Sequence, residues 1–142
     1  MKNVIPVLFL LLTIASAAQN SAPSPNLDIP KGMKQYFIGF LVKGEKYDPN
    51  MPNAEHDKLL QQHLAYIRSQ AETGKYKLAG PFLDEGNISG ILIIDTRSRD
   101  EAKQIVSKDP MVQAGRLAIE LHPAMLADVS CILMEYQKNG GK

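Results

Sequence analysis

The sequence has a single cysteine, Cys131, no tryptophan, and only 6% aromatic residues among 142. One cysteine closes no internal disulfide, so stability must come from a core and from any partner subunit. An excess of one charge is also missing: 16 Lys and Arg stand against 15 Asp and Glu. Without a basic field to gather phosphate, nucleic acid is not an expected partner. A glycine-rich phosphate loop, a G-x-S-x-G elbow and a C-x-x-C pair are all lacking. The three histidines, His56, His63 and His122, are too few and too far apart for a zinc site. The loop DPNMPN does not follow the order of a calcium loop. Neither a metal nor a cofactor is expected.

One apolar run stands out, at the N-terminus. MKNVIPVLFLLLTIASA has Lys2, then an apolar stretch from Val4 to Ile14, then Ala15-Ser16-Ala17. This is the three-part layout of a secretory signal, residues 1–17, cut before Ala18, with a cut before Gln19 nearly as good. The run is shorter than the roughly 20 residues that span a bilayer, so no stable membrane anchor is expected. The mature protein would be secreted or periplasmic. Losing Lys2 would bring its charges into balance. Cys131 does not follow the signal, which argues against a lipid on that thiol. Residues 18–33, rich in Pro, Ser, Asn and Ala, read as a flexible leader.

From Lys34 the pattern is that of a folded domain. KQYFIGFLVK (34–43) reads as a strand, apolar on both faces. Asn53 is a good N-cap for a helix running to Thr73 and stopped by Gly74, with Leu60, Leu64, Ile67 and Ala71 as its buried stripe. YKLAGPF (76–82) is a second strand and SGILIIDT (89–96) a third. Ser98 and Glu101 form a capping box for a second helix, which buries Ala102, Ile105 and Val106 and must end by Asp109-Pro110. RLAIELH (116–122) is the last clear strand.

The order β-α-β-β-α-β is the ferredoxin-like arrangement in the α+β class: a four-stranded antiparallel sheet with two helices on one face. The other face, with Ile91, Ile93 and Leu41, should also be dry. Packing it on the same face of a second copy gives a homodimer with stacked sheets. The extension 124–142 is ambiguous. Met125, Val129, Leu133 and Tyr136 recur at helical spacing, while VSCILMEY also suits a strand; a helix is the favoured reading.

Two residues can carry chemistry. His63 lies at the border of the helix stripe, where a lone histidine is more often packed or solvated than catalytic. Asp109 has a structural explanation: it caps a short turn, Pro110 takes the first helical position, and Gly115 closes it. Capping and chemistry are compatible, because a carboxylate has two oxygens. Gly80-Pro81 is a turn first and a ligand contact second.

QQHLAYIRSQAETGKYKLAGPF and SGILIIDTRSRDEAKQIVSKDPMVQAGRLAIELHP resemble the YCII-related family. The likeness spans residues 34–123 and rests on the histidine in the first helix, the AGP after the second strand, and the DP followed by AG. It implies a dimeric α+β barrel, related in fold to muconolactone isomerase, with an active site of one histidine and one aspartate. Those positions correspond to His63 and Asp109. Most members have no assigned reaction, and some relatives process chlorinated aromatic intermediates.

The resulting expectation is a small-molecule enzyme of lyase, isomerase or hydrolase type that moves a proton with His63 and Asp109. Arg116 could hold an anionic group, against the simpler reading of a surface ion pair. His122, at the far end of the same strand, is a further ligand-binding candidate. The alternatives are a non-catalytic dimer that captures a small ligand in the cell envelope, and a scaffold with no pocket near His63.

Overall fold

The computed structural model describes residues 28–130. The proposed signal, most of the leader, Cys131 and the extension past Ser130 lie outside the described residues. The elements run β1 (Met33–Lys43), α1 (Asn53–Glu72), β2 (Tyr76–Pro81), β3 (Ile88–Ile94), α2 (Arg99–Val106), α3 (Pro110–Gln113) and β4 (Leu117–Ala127). The four strands form one sheet in the order β2-β3-β1-β4. Every neighbouring pair is antiparallel. This is the ferredoxin-like α+β fold. Among the described residues no helix is long and apolar enough to cross a membrane.

The period-2 alternation of the strands sorts the sheet into two faces. Phe37, Leu41, Leu92, Ile94 and Leu121 point to the helices and form the core with Ile67, Ala102 and Val106. Each such buried side chain larger than alanine contributes on the order of 1.5–3 kcal/mol relative to leaving it in water. On the opposite face the register sets Ile38 beside Ile93 and Phe40 beside Ile91. All four remain half-exposed. Leu41 therefore does not belong to the second face, as the sequence suggested. It is 4% exposed on the helix side, and Ile38 and Phe40 take its place.

Two local expectations need correction. At the start of α1 the cap position is Pro52, and no side chain caps the helix; Asn53 is already its first residue. The segment just after Pro123 is the larger difference. Residues 124–127 belong to β4 and not to a helix. The reason is pairing: β1 offers its whole length to β4, with Met33 opposite Ala127 and Lys43 opposite Leu117. That ladder outweighs the helical spacing of Met125 and Val129.

Tyr76 is 2% exposed, and its hydroxyl is buried without a hydrogen-bond partner among the described residues. Burial, followed by the nearby Tyr66 and Asp109, drives its ionisation far above the ordinary range. An unpaired buried hydroxyl is a cost, so Tyr76→Phe should stabilise the protein by about 1 kcal/mol. Urea unfolding of the two proteins checks this, and a destabilised variant would reveal a partner for the hydroxyl.

Candidate active site

α1 and α3 meet above the sheet, and their contact brings His63 to Asp109. His63 is 7% exposed and Asp109 2%. Nδ1 of His63 lies 2.7 Å from Oδ2 of Asp109. The other oxygen, Oδ1, accepts the backbone N–H of Met111 at 2.8 Å and so caps α3. Pro110 at the first helical position and Gly115 at φ 72° complete the short turn. Capping and pairing thus coexist on one carboxylate, one oxygen each.

With both oxygens accepting, the pair is completed by a proton on Nδ1, and a neutral ring keeps its lone pair on Nε2. His63 lines a cavity of about 490 Å³, and Nε2 has no protein partner among the described residues. Tyr66 packs close by and donates from its hydroxyl to the carbonyl of Ile105 at 2.6 Å. Burial, with a smaller effect of Asp109, pushes the pKa of the Tyr66 hydroxyl above its ordinary value.

The cavity explains the phase of α1. Leu60 and Leu64, expected in the buried stripe, line the cavity, and Leu64 is 45% exposed. These two leucines face the cavity, while Ile67 of the same stripe joins the core, and His63 is more deeply buried than either leucine. His63 is therefore not a border residue.

Of the other candidates, Gly80, Pro81 and Arg116 all line the cavity. Arg116 is 7% exposed, so it is not in a surface ion pair. Its guanidinium donates to the carbonyl oxygens of Lys46 at 3.2 Å and Asp48 at 2.7 Å and stacks over the Tyr47 ring. His122 does not join the site. The β4 register places it beside Ile38 on the sheet face away from the helices, where it is exposed and packs edge-on against Phe40. Sequence reasoning missed Tyr47 and Met111 and considered His56 only as a metal ligand; all three line the cavity. Nothing in the sequence marks Tyr47, because a loop supplies it. Among the described residues no group of three His, Cys, Asp or Glu side chains could hold a metal ion.

The profile of the YCII-related domain matches residues 41–121. No curated protein matches the chain. Among solved structures, the chain is similar to the 5-chloro-2-hydroxyhydroquinone dehydrochlorinase of Burkholderia phenoliruptrix AC1100, in complex with 2,5-dihydroxybenzoquinone. The identity is 26%, over 63% of this chain and 91% of that one, with a TM-score of 0.44.

Proposed function

Because the chain belongs to the YCII-related domain family, we propose that it is a small-molecule enzyme whose proton-transfer chemistry is carried by His63 and Asp109. The observation behind this reading is the 2.7 Å contact between Nδ1 of His63 and Oδ2 of Asp109 beside a cavity. Asp109 holds the ring in the tautomer that leaves Nε2 basic. Nε2 takes a proton from an acidic C–H or O–H of the bound molecule, and Asp109 stabilises the imidazolium that forms. The ring then returns the proton to another atom of the substrate. This sequence fits lyase, isomerase or hydrolase reactions alike.

A non-catalytic binding protein would use the same cavity without the basic Nε2. Screening for molecules that raise the melting temperature, then looking for product, separates the two. The enzyme reading expects turnover that falls by about 10²–10⁴-fold in His63→Gln, the range of general acid–base catalysis. A tight ligand that the wild-type protein never transforms would overturn it.

We also propose a homodimer, in which Ile38, Phe40, Ile91 and Ile93 stack on the same residues of a second copy. Contiguous exposed apolar surface of this kind marks an interface. The wild-type protein should elute as a dimer at micromolar concentration, and Phe40→Glu should convert it to a folded monomer. A wild-type monomer rules the arrangement out. Export rests on residues 1–17; the mass of the secreted chain would show whether it begins at Ala18.

A further inference from the structure

The charges around the cavity are one-sided. The ionisable residues that line it are Tyr47, His56, His63 and Arg116, and no Asp or Glu is among them. Arg116 carries a permanent positive charge, since a guanidinium does not lose its proton in proteins. It is 7% exposed, yet among the described residues no carboxylate forms an ion pair with it. Buried charges are normally matched by an opposite charge, because taking an ion out of water is costly. Here the compensation is partial: two backbone carbonyls, of Lys46 and Asp48, and the face of Tyr47 at 5.2 Å. A guanidinium has five N–H donors, and only two are used in those bonds.

The same two bonds do a second job. They hold the planar group still against the loop after β1, so its orientation is set before any ligand arrives. A fixed fork with spare donors is suited to a carboxylate, which it can grip with two parallel bonds. Most of the rest of the wall is apolar, with Leu41, Leu60, Leu64 and Met111 facing the same space. The volume of about 490 Å³ lies in the range of small-molecule sites.

We propose that Arg116 is the anion subsite of this cavity and that the natural substrate is a small organic monoanion, such as a carboxylate, with an apolar body. The acidic group docks on Arg116, the apolar body fills the space between α1 and the sheet, and the proton to be moved faces Nε2 of His63. The catalytic part of this statement rests on the proton-transfer reading above; the binding part does not.

The test uses the full mature chain, labelled with ¹⁵N, titrated with benzoate and with benzamide, its uncharged counterpart of the same shape. Benzoate should bind about tenfold more tightly or better, the gain of one charge-assisted contact. The Nε–H resonance of Arg116 should move with benzoate and stay in place with benzamide. Arg116→Gln should bring the two affinities together, and Arg116→Lys should keep part of the preference. Equal affinities in the wild type overturn the proposal. So does a preference that survives in folded Arg116→Gln. If that variant fails to fold, an Arg116 Nε–H resonance unmoved by benzoate in the wild type has the same force. His63→Gln separates this proposal from the proton-transfer reading. Its benzoate preference should persist, and its loss there counts against Arg116. Intact preference in a wild-type protein that transforms no carboxylate removes the enzyme reading alone.

Discussion

Replacing Asp109 by alanine should cost about 3 kcal/mol of stability, the sum of two losses at one side chain. Oδ1 caps α3 through Met111, and removing a helix cap costs about 1 kcal/mol. Oδ2 is the partner of His63 Nδ1, and leaving a buried polar group unpaired costs roughly 1–3 kcal/mol. For a domain of this size the melting temperature should fall by about 10 °C. Asp109→Asn isolates the chemistry from the fold. The asparagine oxygen can still accept from Met111, so the cap survives and the stability loss should stay near about 1 kcal/mol. Its amide nitrogen then faces Nδ1, donates where the carboxylate accepted, and forces the ring proton onto Nε2. The base is converted into a donor on the cavity side. Imidazole ¹⁵N shifts should report Nδ1–H in the wild type and Nε2–H in Asp109→Asn, and turnover should fall by about 10²–10⁴-fold. If Asp109→Asn keeps the wild-type tautomer, or if alanine costs no more than asparagine, the shared carboxylate is not what holds the pair.

How much of this could be read from the sequence depended on the range of the interaction. The strands and helices were legible because their signals are local and periodic. Ser98 accepts from the Glu101 amide, as the capping box requires, although the Glu101 carboxylate reaches back to Arg97 N–H and not to Ser98. The Asp109-Pro110 turn, closed by Gly115, was equally local. The His63–Asp109 bond was not legible in this way. Its partners are 46 positions apart, and only the family resemblance joined them before the contact between α1 and α3 was known. Helical periodicity even misplaced His63, because Leu60 and Leu64 form a genuine apolar stripe that serves a cavity instead of a core. His122 was misplaced for the complementary reason: one step along a strand changes the face of the sheet, and neighbouring Leu121 took the helix side. Arg116 read as a surface charge because its acceptors are backbone carbonyls, which leave no trace in side-chain patterns.

Gly44→Ala should be at least as damaging, although the residue does not itself line the cavity. Gly44 sits where the end of β1 crosses the turn before β4. Its N–H donates to the carbonyl of Arg116 at 2.9 Å, and two residues later the N–H of Lys46 donates to the carbonyl of Gly115, also at 2.9 Å. A methyl group on Gly44 would run into the Gly115 carbonyl oxygen and come within 2.9 Å of its carbon and 3.0 Å of the Arg116 carbonyl carbon. These are backbone atoms with no rotamer to give way, so one of the two crossing segments must move. Overpacking of this kind costs about 3 kcal/mol. The displacement has a defined consequence: the loop carrying the Lys46 and Asp48 carbonyls shifts away from the Arg116 guanidinium. Gly44→Ala should therefore melt about 10 °C lower and lose most of the benzoate preference. Gly80→Ala makes the same chemical change in the cavity wall itself, where an added methyl meets nothing within 4 Å. It should leave stability within about 0.5 kcal/mol of the wild type, as substitutions without new contacts do. Thermal melts of the two variants side by side would decide the matter: equal stabilities would mean that the crossing of β1 and the β4 turn is not rigid, and Arg116 would lose its fixed anchor.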